Sequence, residues 1–390
     1  MIGKVVRVKK AMGIAAFRRL YNETKYVRHG KPTKKSRIEQ AKWSCSLKKI
    51  YTSSEKQLLD MLLQQGFLKN WKGKQCPHCG LGQCSPLHKH KYRGWTYRCG
   101  RRACRNYVVP HFMHPVFSVA RGQDWTPLRD QAAVLWNAVA RVKRGIAHLS
   151  TEESHKVVEA MYTRLNAARA RYVERAQKKL KFGIGEAWKD VEADEVDLRK
   201  TELDAQAGKK EKATVWEQWG GLIERGAPNT LVLVRLKPNK TRRRAPGPGA
   251  MRKRDWVPIA SRYIKGRKVI LHTDGARAYR MHVKDVIHNN VVHKKKRVQT
   301  KDGKWIWVKP HFVRLVANVL PNGKVLHVKT GTQIIDRVWQ HVRKHLEGNY
   351  SKVGSSSLRQ SIRSAQWVYW NRGEDLWKQT GLMLKELMDE

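Results

Sequence analysis

The sequence predicts a mixed α/β fold preceded by a small metal-bound module. Three observations predict it: two close cysteine pairs between residues 76 and 104, helical periodicity on either side of them, and short β-like runs leading to an amphipathic helix after Gly183–Gly185.

Charge narrows the function before any motif does. The 390 residues include 81 Lys or Arg against 32 Asp or Glu, a formal net charge of +49. Such a surplus repels itself unless an anionic partner neutralises it, and a phosphate polymer does so with release of condensed counterions. Charge therefore selects nucleic acid, although it does not by itself separate an enzyme from a packaging protein. No long uncharged apolar run offers a bilayer span, so no membrane partner is expected. With 41% apolar residues and 15 Trp, the chain can build a real core and is not a disordered basic tail. Paired cysteines read as a metal site, which favours a reducing compartment.

The elements follow in order. Residues 1–53 read as a basic arm with no acid before Glu23. The run from Ser54 to Leu68 sets Leu58, Leu59, Leu62 and Leu63 at helical spacing and closes on Gly66. With the cysteine segment it forms a first module, 54–112. A helical region, 113–183, follows. Its first helix carries Leu128, Ala132, Leu135, Val139 and Val142, and Ser150 with Glu153 reads as a capping box for the next. The α/β domain spans 184–350, with β-like runs at 191–199, 214–225, 230–237 and 268–275 and a helix near Ile259–Ile264. Two basic insertions, 241–254 and 293–309, interrupt it as exposed loops. Ile335, Val338, Trp339, Val342 and Leu346 mark its amphipathic helix. Residues 351–390 are expected as a helical tail.

Cys76-Pro-His-Cys79 is followed, after nineteen intervening residues, by Cys99 and then Cys104. Two such pairs on tight turns place four thiolates around one Zn²⁺, with no open coordination position, so the ion is structural. Cys84, His78 and His88 are alternative ligands read as bystanders, and Cys45 as a small buried hydrophobe. Lys91, Arg93, Arg98, Arg101 and Arg102 surround the module, mixed with Trp95, Tyr97 and Tyr107. That mixture suits backbone contact and base stacking, although some of these aromatics must pack the module itself.

Acids stand out in so basic a chain. Asp274 ends the apolar run 269–273, where functional groups gather in open sheets. Alternation sets Val191 and Ala193 on one face and Glu192, Asp194 and Val196 on the other. Asp336 opens the amphipathic helix. Three converging carboxylates would hold two Mg²⁺ or Mn²⁺ ions for in-line phosphoryl transfer. Taken singly, each has another reading: a turn residue, a solvated acid and a first-turn acid, respectively.

The order CPHCG, YRC…C, helices, VEADEVDL, HTDGARAY and IIDRVW, over roughly residues 54–347, resembles the ISXO-type insertion-sequence transposases. The resemblance implies an N-terminal zinc ribbon, a helix-turn-helix-like linker and an RNase H-like DDE catalytic domain. It carries the catalytic acids onto Asp194, Asp274 and Asp336, the family tryptophan onto Trp339, and a histidine between the second and third acids onto His293. Position 336 is Asp where the family has Glu, one methylene shorter. The implied activity is metal-dependent DNA cleavage and strand transfer on transposon ends and target duplex, in an assembly that is expected to be homo-oligomeric. Arg242, Arg243, Arg244, Lys294, Lys295, Lys296 and Arg343 join the residues expected to grip DNA. A domesticated transposase that binds without cutting is the second reading, and an RNA-binding zinc-ribbon protein the third. The basic runs would serve nuclear import in a eukaryote; otherwise the chain is expected in the cytoplasm or nucleoid.

Overall fold

The computed structural model describes residues 43–119, 126–203, 213–292, 295–300, 302–308, 310 and 312–390. They fall into two compact units, one containing residues 43–172 and 373–390, the other residues 173–372.

The first unit begins with helices α1 (Leu47–Thr52) and α2 (Glu55–Gln64). Ser54 and Gln57 form a reciprocal capping box on α2, which buries Leu58, Leu59, Met61 and Leu62. Gly66 ends it at φ +81°, and a Cβ there would meet the Gly381 carbonyl oxygen at 2.9 Å. Only glycine permits both that backbone and that approach. Gly381 belongs to the final helix, α9 (Leu376–Met388), so the residues expected as one C-terminal tail divide between the units.

Between these helices, strands β1 (His88–His90), β2 (Gly94–Arg98) and β3 (Tyr107–Val108) form a small antiparallel sheet. Helices α3 (Leu128–Val139), α4 (Arg144–Thr151) and α5 (His155–Gln177) follow it. The helix expected to carry Leu128 through Val142 ends at Val139, and Arg141 adopts φ 62° before the next helix begins. The capping box expected at Ser150 and Glu153 is also corrected. Ser150 lies within α4, donating to the Ala147 carbonyl at 3.1 Å. Ser154 takes the cap of α5 instead, its hydroxyl accepting from Val157 N at 3.3 Å.

The second unit is built on a mixed sheet with strand order β6-β5-β4-β8-β9, with β7 pairing the far end of β5. The strands are β4 (Lys189–Leu203), β5 (Ala213–Glu224), β6 (Val232–Arg235), β7 (Asn239–Arg242), β8 (Val269–Thr273) and β9 (Val286–Asn290). The first three run antiparallel in sequence; β8 and β9 are parallel to β4. Helix α6 (Lys253–Tyr263) starts six residues before its expected position and covers one face, with Trp256 and Ile259 against Val191, Ala193 and Leu271. Helices α7 (Gln333–His345) and α8 (Ser356–Trp370) cover the other, where Ile335, Trp339, Leu358 and Ile362 pack on Val196, Trp219 and Leu233. Two further hairpins complete the unit, β10 (Lys296–Gln299) with β11 (Trp305–Val308), and β12 (Arg314–Val319) with β13 (Val325–Thr330). The second basic insertion is thus a β-ribbon where a loop was expected. No helix among the described residues is long and apolar enough to cross a membrane.

Candidate metal centre and acidic cavity

Four cysteines meet. Cys76 and Cys104 place their sulfurs 4.0 Å apart, Cys79 and Cys99 3.8 Å, and all four ligand atoms lie within 4.8 Å of one another. The first pair sits on a turn in which Gly80 N donates to the Cys76 carbonyl at 2.8 Å, with Gly80 at φ +66°. The second turn closes through Arg105 N on the Arg101 carbonyl at 3.0 Å. Gly82 N donates to the Cys79 sulfur at 3.5 Å. A Cβ on Gly82 would lie 2.4 Å from the Cys99 sulfur, so the turn requires glycine there. The Gly82 and Leu81 amides hold the Cys79 thiol down at about 6, whereas burial pushes Cys99 up to about 12. Four soft thiolate donors in a closed tetrad fit Zn²⁺ in a structural role.

The expected bystanders stand outside the tetrad. Cys84 is buried in the module's core and pushed up to about 11 by that burial. His78 packs on Phe112 and His88 faces the Pro86 carbonyl. Cys45 is buried. Of Trp95, Tyr97 and Tyr107, Tyr97 packs in the module's own core beside Trp71, while Tyr107 carries the guanidinium groups of Arg93 and Arg98 at 5.1 and 5.5 Å. Lys91, Arg93, Arg98, Arg101 and Arg102 are all exposed.

The acids gather on the helix α7 face of the sheet. The register pairs Glu192 with His272 in adjacent parallel strands, so Asp194, within β4, and Asp274, just past β8, both stand two residues further on. Asp194 accepts from Trp339 Nε1 at 3.0 Å, which ties it to the helix bearing Asp336. Burial raises the Asp194 carboxyl well above the usual carboxylate range, and the charges of Glu195, Asp274 and Asp336 raise it further. Asp274 accepts from Ala276 N at 2.9 Å, and Thr332 donates to Asp336 at 3.4 Å. Among the described residues only the cysteines form a group drawn close enough to grip an ion; the three aspartates share a field without such contact.

A cavity of about 650 Å³ opens beside Asp194 and Asp336, lined also by Asp197, Gln218, Trp339 and Arg343. Its far wall is the backbone of 246–250, within the first basic insertion. Gln218 Nε2 donates to the Gly249 carbonyl at 2.9 Å and Met251 N to Glu195 at 2.7 Å, so this loop is fastened beside the acids. Glu195 and Gln218 were not singled out in the sequence, and the Pro-Gly-Pro-Gly run was read only as part of an exposed basic loop.

Arg343 and Asp197 both line the cavity; burial raises the Asp197 carboxyl, and the charge of Arg343 opposes that rise. Arg242, Arg243 and Arg244 are exposed, with Arg243 paired to Glu202 at 3.2 Å. Lys295 is exposed and Lys296 opens β10, while His293 and Lys294 lie outside the described residues. Comparison with protein-family models, curated proteins and solved structures returned no match.

Proposed function

We propose that this chain is a DNA transposase or a nuclease derived from one, with an RNase H-like core and a structural zinc ribbon. The observation that carries the reading is the register that sets Asp194, within β4, level with Asp274, just past the end of the neighbouring parallel strand β8, with Asp336 entering their field from the helix packed on the same face. Sheet order β6-β5-β4-β8-β9, three antiparallel strands and then two parallel ones, supports the RNase H-like assignment.

Carboxylate oxygens are hard donors, so the three aspartates suit Mg²⁺ or Mn²⁺, which would stabilise charge on the attacking and leaving oxygens of a phosphodiester. The residues of the chain do the rest. Trp339 fixes one Asp194 oxygen, the Ala276 amide fixes one on Asp274, and Arg343 in the cavity lining offers a cation for phosphate. Exposed Lys and Arg on the zinc module and at 242–244 supply backbone contacts to duplex DNA.

The second reading, a protein that binds DNA without cutting it, is favoured by two observations: among the described residues the three aspartates are not drawn together as the cysteines are, and Asp336 is a short side chain at the third position. Mg²⁺- or Mn²⁺-dependent cleavage and end-joining of duplex DNA by the zinc-loaded chain decides between them. Products that vanish in Asp274→Asn support the catalytic reading. Salt-sensitive binding with no products in any metal supports the second.

A further inference from the structure

The ribbon formed by β10 and β11 exposes two tryptophans that no core cluster absorbs. Trp305 is 55% and Trp307 67% exposed. They are two residues apart on one strand and so share a face. Register places Gln299 opposite Trp305 and Arg297 opposite Trp307, and the Arg297 guanidinium lies 5.3 Å from the Trp305 ring centroid. The turn is closed by Thr300 N on the Lys304 carbonyl at 2.8 Å and by Gly303 at φ +76°.

An isolated two-stranded ribbon is marginally stable in water, and two exposed indoles add an unfavourable apolar surface. Its composition identifies what would cover them. Residues 293–309 contain seven Lys or Arg and a single acid, Asp302. A second copy of this ribbon is repelled by that charge, whereas a polyanion is attracted. A duplex hides the faces of its bases in its own stack; an unpaired strand presents them. Positions two residues apart on a strand are separated by about 6.8 Å, about twice the roughly 3.4 Å spacing of stacked nucleotides, so bases of one unpaired strand can reach both indoles.

We infer that Trp305 and Trp307 form a stacking platform for unpaired nucleic-acid bases, with Arg297 and Gln299 on the same face contacting phosphate or base edges. The inference rests on the DNA-handling reading but concerns a different strand form and different residues from the acidic cavity. The platform would hold a frayed or displaced strand while the basic surfaces hold duplex.

The test uses the full-length zinc-loaded chain and labelled oligothymidine, oligouridine and a duplex of equal length, followed by fluorescence anisotropy at fixed salt. W305A/W307A is expected to lose at least about tenfold in affinity for the single strands, with duplex affinity and its salt dependence unchanged. W305F/W307F keeps an aromatic face and is expected to retain most single-strand affinity, which separates stacking from any disturbance of the ribbon. Equal loss with oligothymidine and oligouridine identifies the base as the ligand; loss with only one assigns the platform to DNA or to RNA. Single-strand affinity unchanged in W305A/W307A overturns the inference and leaves the DNA-handling reading standing. Loss of binding to phosphatidylserine-containing vesicles, with single-strand affinity intact, also overturns it and makes the ribbon a membrane contact. A chain that binds neither duplex nor single strand overturns both.

Discussion

Glu192 accepts the backbone N–H of Ile334 at 2.7 Å, and this bond joins the strand of Asp194 to the helix of Asp336 at matching positions, two residues before each aspartate. The same carboxylate oxygen accepts from Ile335 N at 3.1 Å, so it caps the N-terminus of α7, where the helix dipole favours negative charge. Its other oxygen pairs with Arg225 at 2.8 Å, and Arg225 reaches on to the Lys329 and Gly331 carbonyls. Beside it, His272 bridges Asp190 at 2.8 Å and Thr330 at 3.0 Å. The start of α7 is thereby fastened to the central strands by buried polar bonds, and the third acid inherits its position from them.

Breaking that anchor should be costly. Glu192→Ala leaves Arg225 buried without its carboxylate and two helix amides without an acceptor, a loss of about 3–5 kcal/mol. Denaturant unfolding of the variant should show a midpoint far below that of the parent. Glu192→Gln keeps an acceptor for the amides and should recover part of the loss. A variant as stable as the parent would mean that the pair does not anchor the helix.

Gly221 controls the approach of Trp339 to the sheet. A Cβ there would stand 2.6 Å from the Trp339 ring and 2.9 Å from Ile335. Gly221→Ala should therefore displace the indole, destabilise by about 1–3 kcal/mol and release the Asp194 carboxylate from its Trp339 bond. Near-ultraviolet circular dichroism and denaturant midpoint read the two effects together; an unchanged spectrum with unchanged stability would argue against the contact.

The parts of this arrangement that were legible in the sequence are local ones. Cysteine spacing is a property of two short turns, so the tetrad follows from the residues themselves. Strand alternation put Glu192, Asp194 and Val196 on one face, and Glu192 and Asp194 do bond to α7 there. What did not follow were partnerships between distant segments. Nothing near Glu192 announces Arg225, thirty-three residues away, so Glu192 read as one acid among several. The break at Arg141 is carried by a residue with no glycine-like signal. The ribbon at 296–308 was masked by its own lysines, which read as a loop.

Metal removal should act locally and reversibly. Chelation, or Cys76→Ser, removes the tetrad's closure, and four thiols packed within 4.8 Å then have no ion to unite them. Metal analysis should find one zinc per parent chain and a sharply reduced content in the variant, with duplex binding lost in parallel if the module supplies contacts. Gly82→Ala should resemble Cys76→Ser in metal content, because its Cβ strikes the Cys99 sulfur.

Acid should weaken the unit that holds His111 and His114. Burial lowers His114 to about 3 and His111 to about 4. Both are neutral in the fold, and His114 Nδ1 accepts from Val116 N at 3.0 Å and Phe117 N at 2.7 Å, bonds that a proton on that nitrogen abolishes. Unfolded histidine takes its proton near 6.5. The unfolded state therefore binds more protons below that value, and the stabilising effect is complete above it and lost as pH falls toward the folded values. The expected slope is about 1.4 kcal/mol per pH unit for each histidine, measured as unfolding free energy between pH 7 and pH 4. A flat profile there would mean that these histidines are not held neutral.

Asp194 should show the opposite dependence. Its carboxyl is raised by burial and by the charges of Glu195, Asp274 and Asp336, so the folded state holds the proton more tightly than the unfolded one. Stability from this group is present at low pH and is lost as pH rises above the ordinary carboxylate value through the raised folded one. Above the ordinary carboxylate range this carboxyl therefore costs the fold stability, and two changes should relieve the cost. Asp194→Asn removes the charge while its side-chain oxygen can still accept from Trp339, so the variant should melt higher than the parent in the absence of divalent metal. Mn²⁺ should raise the melting temperature of the parent by neutralising the same cluster, and should do so much less in Asp194→Asn or Asp274→Asn. A parent that gains nothing from Mn²⁺ while Asp194→Asn is stabilised would locate the repulsion correctly and deny the cluster a cation, which is the outcome that favours binding without cleavage.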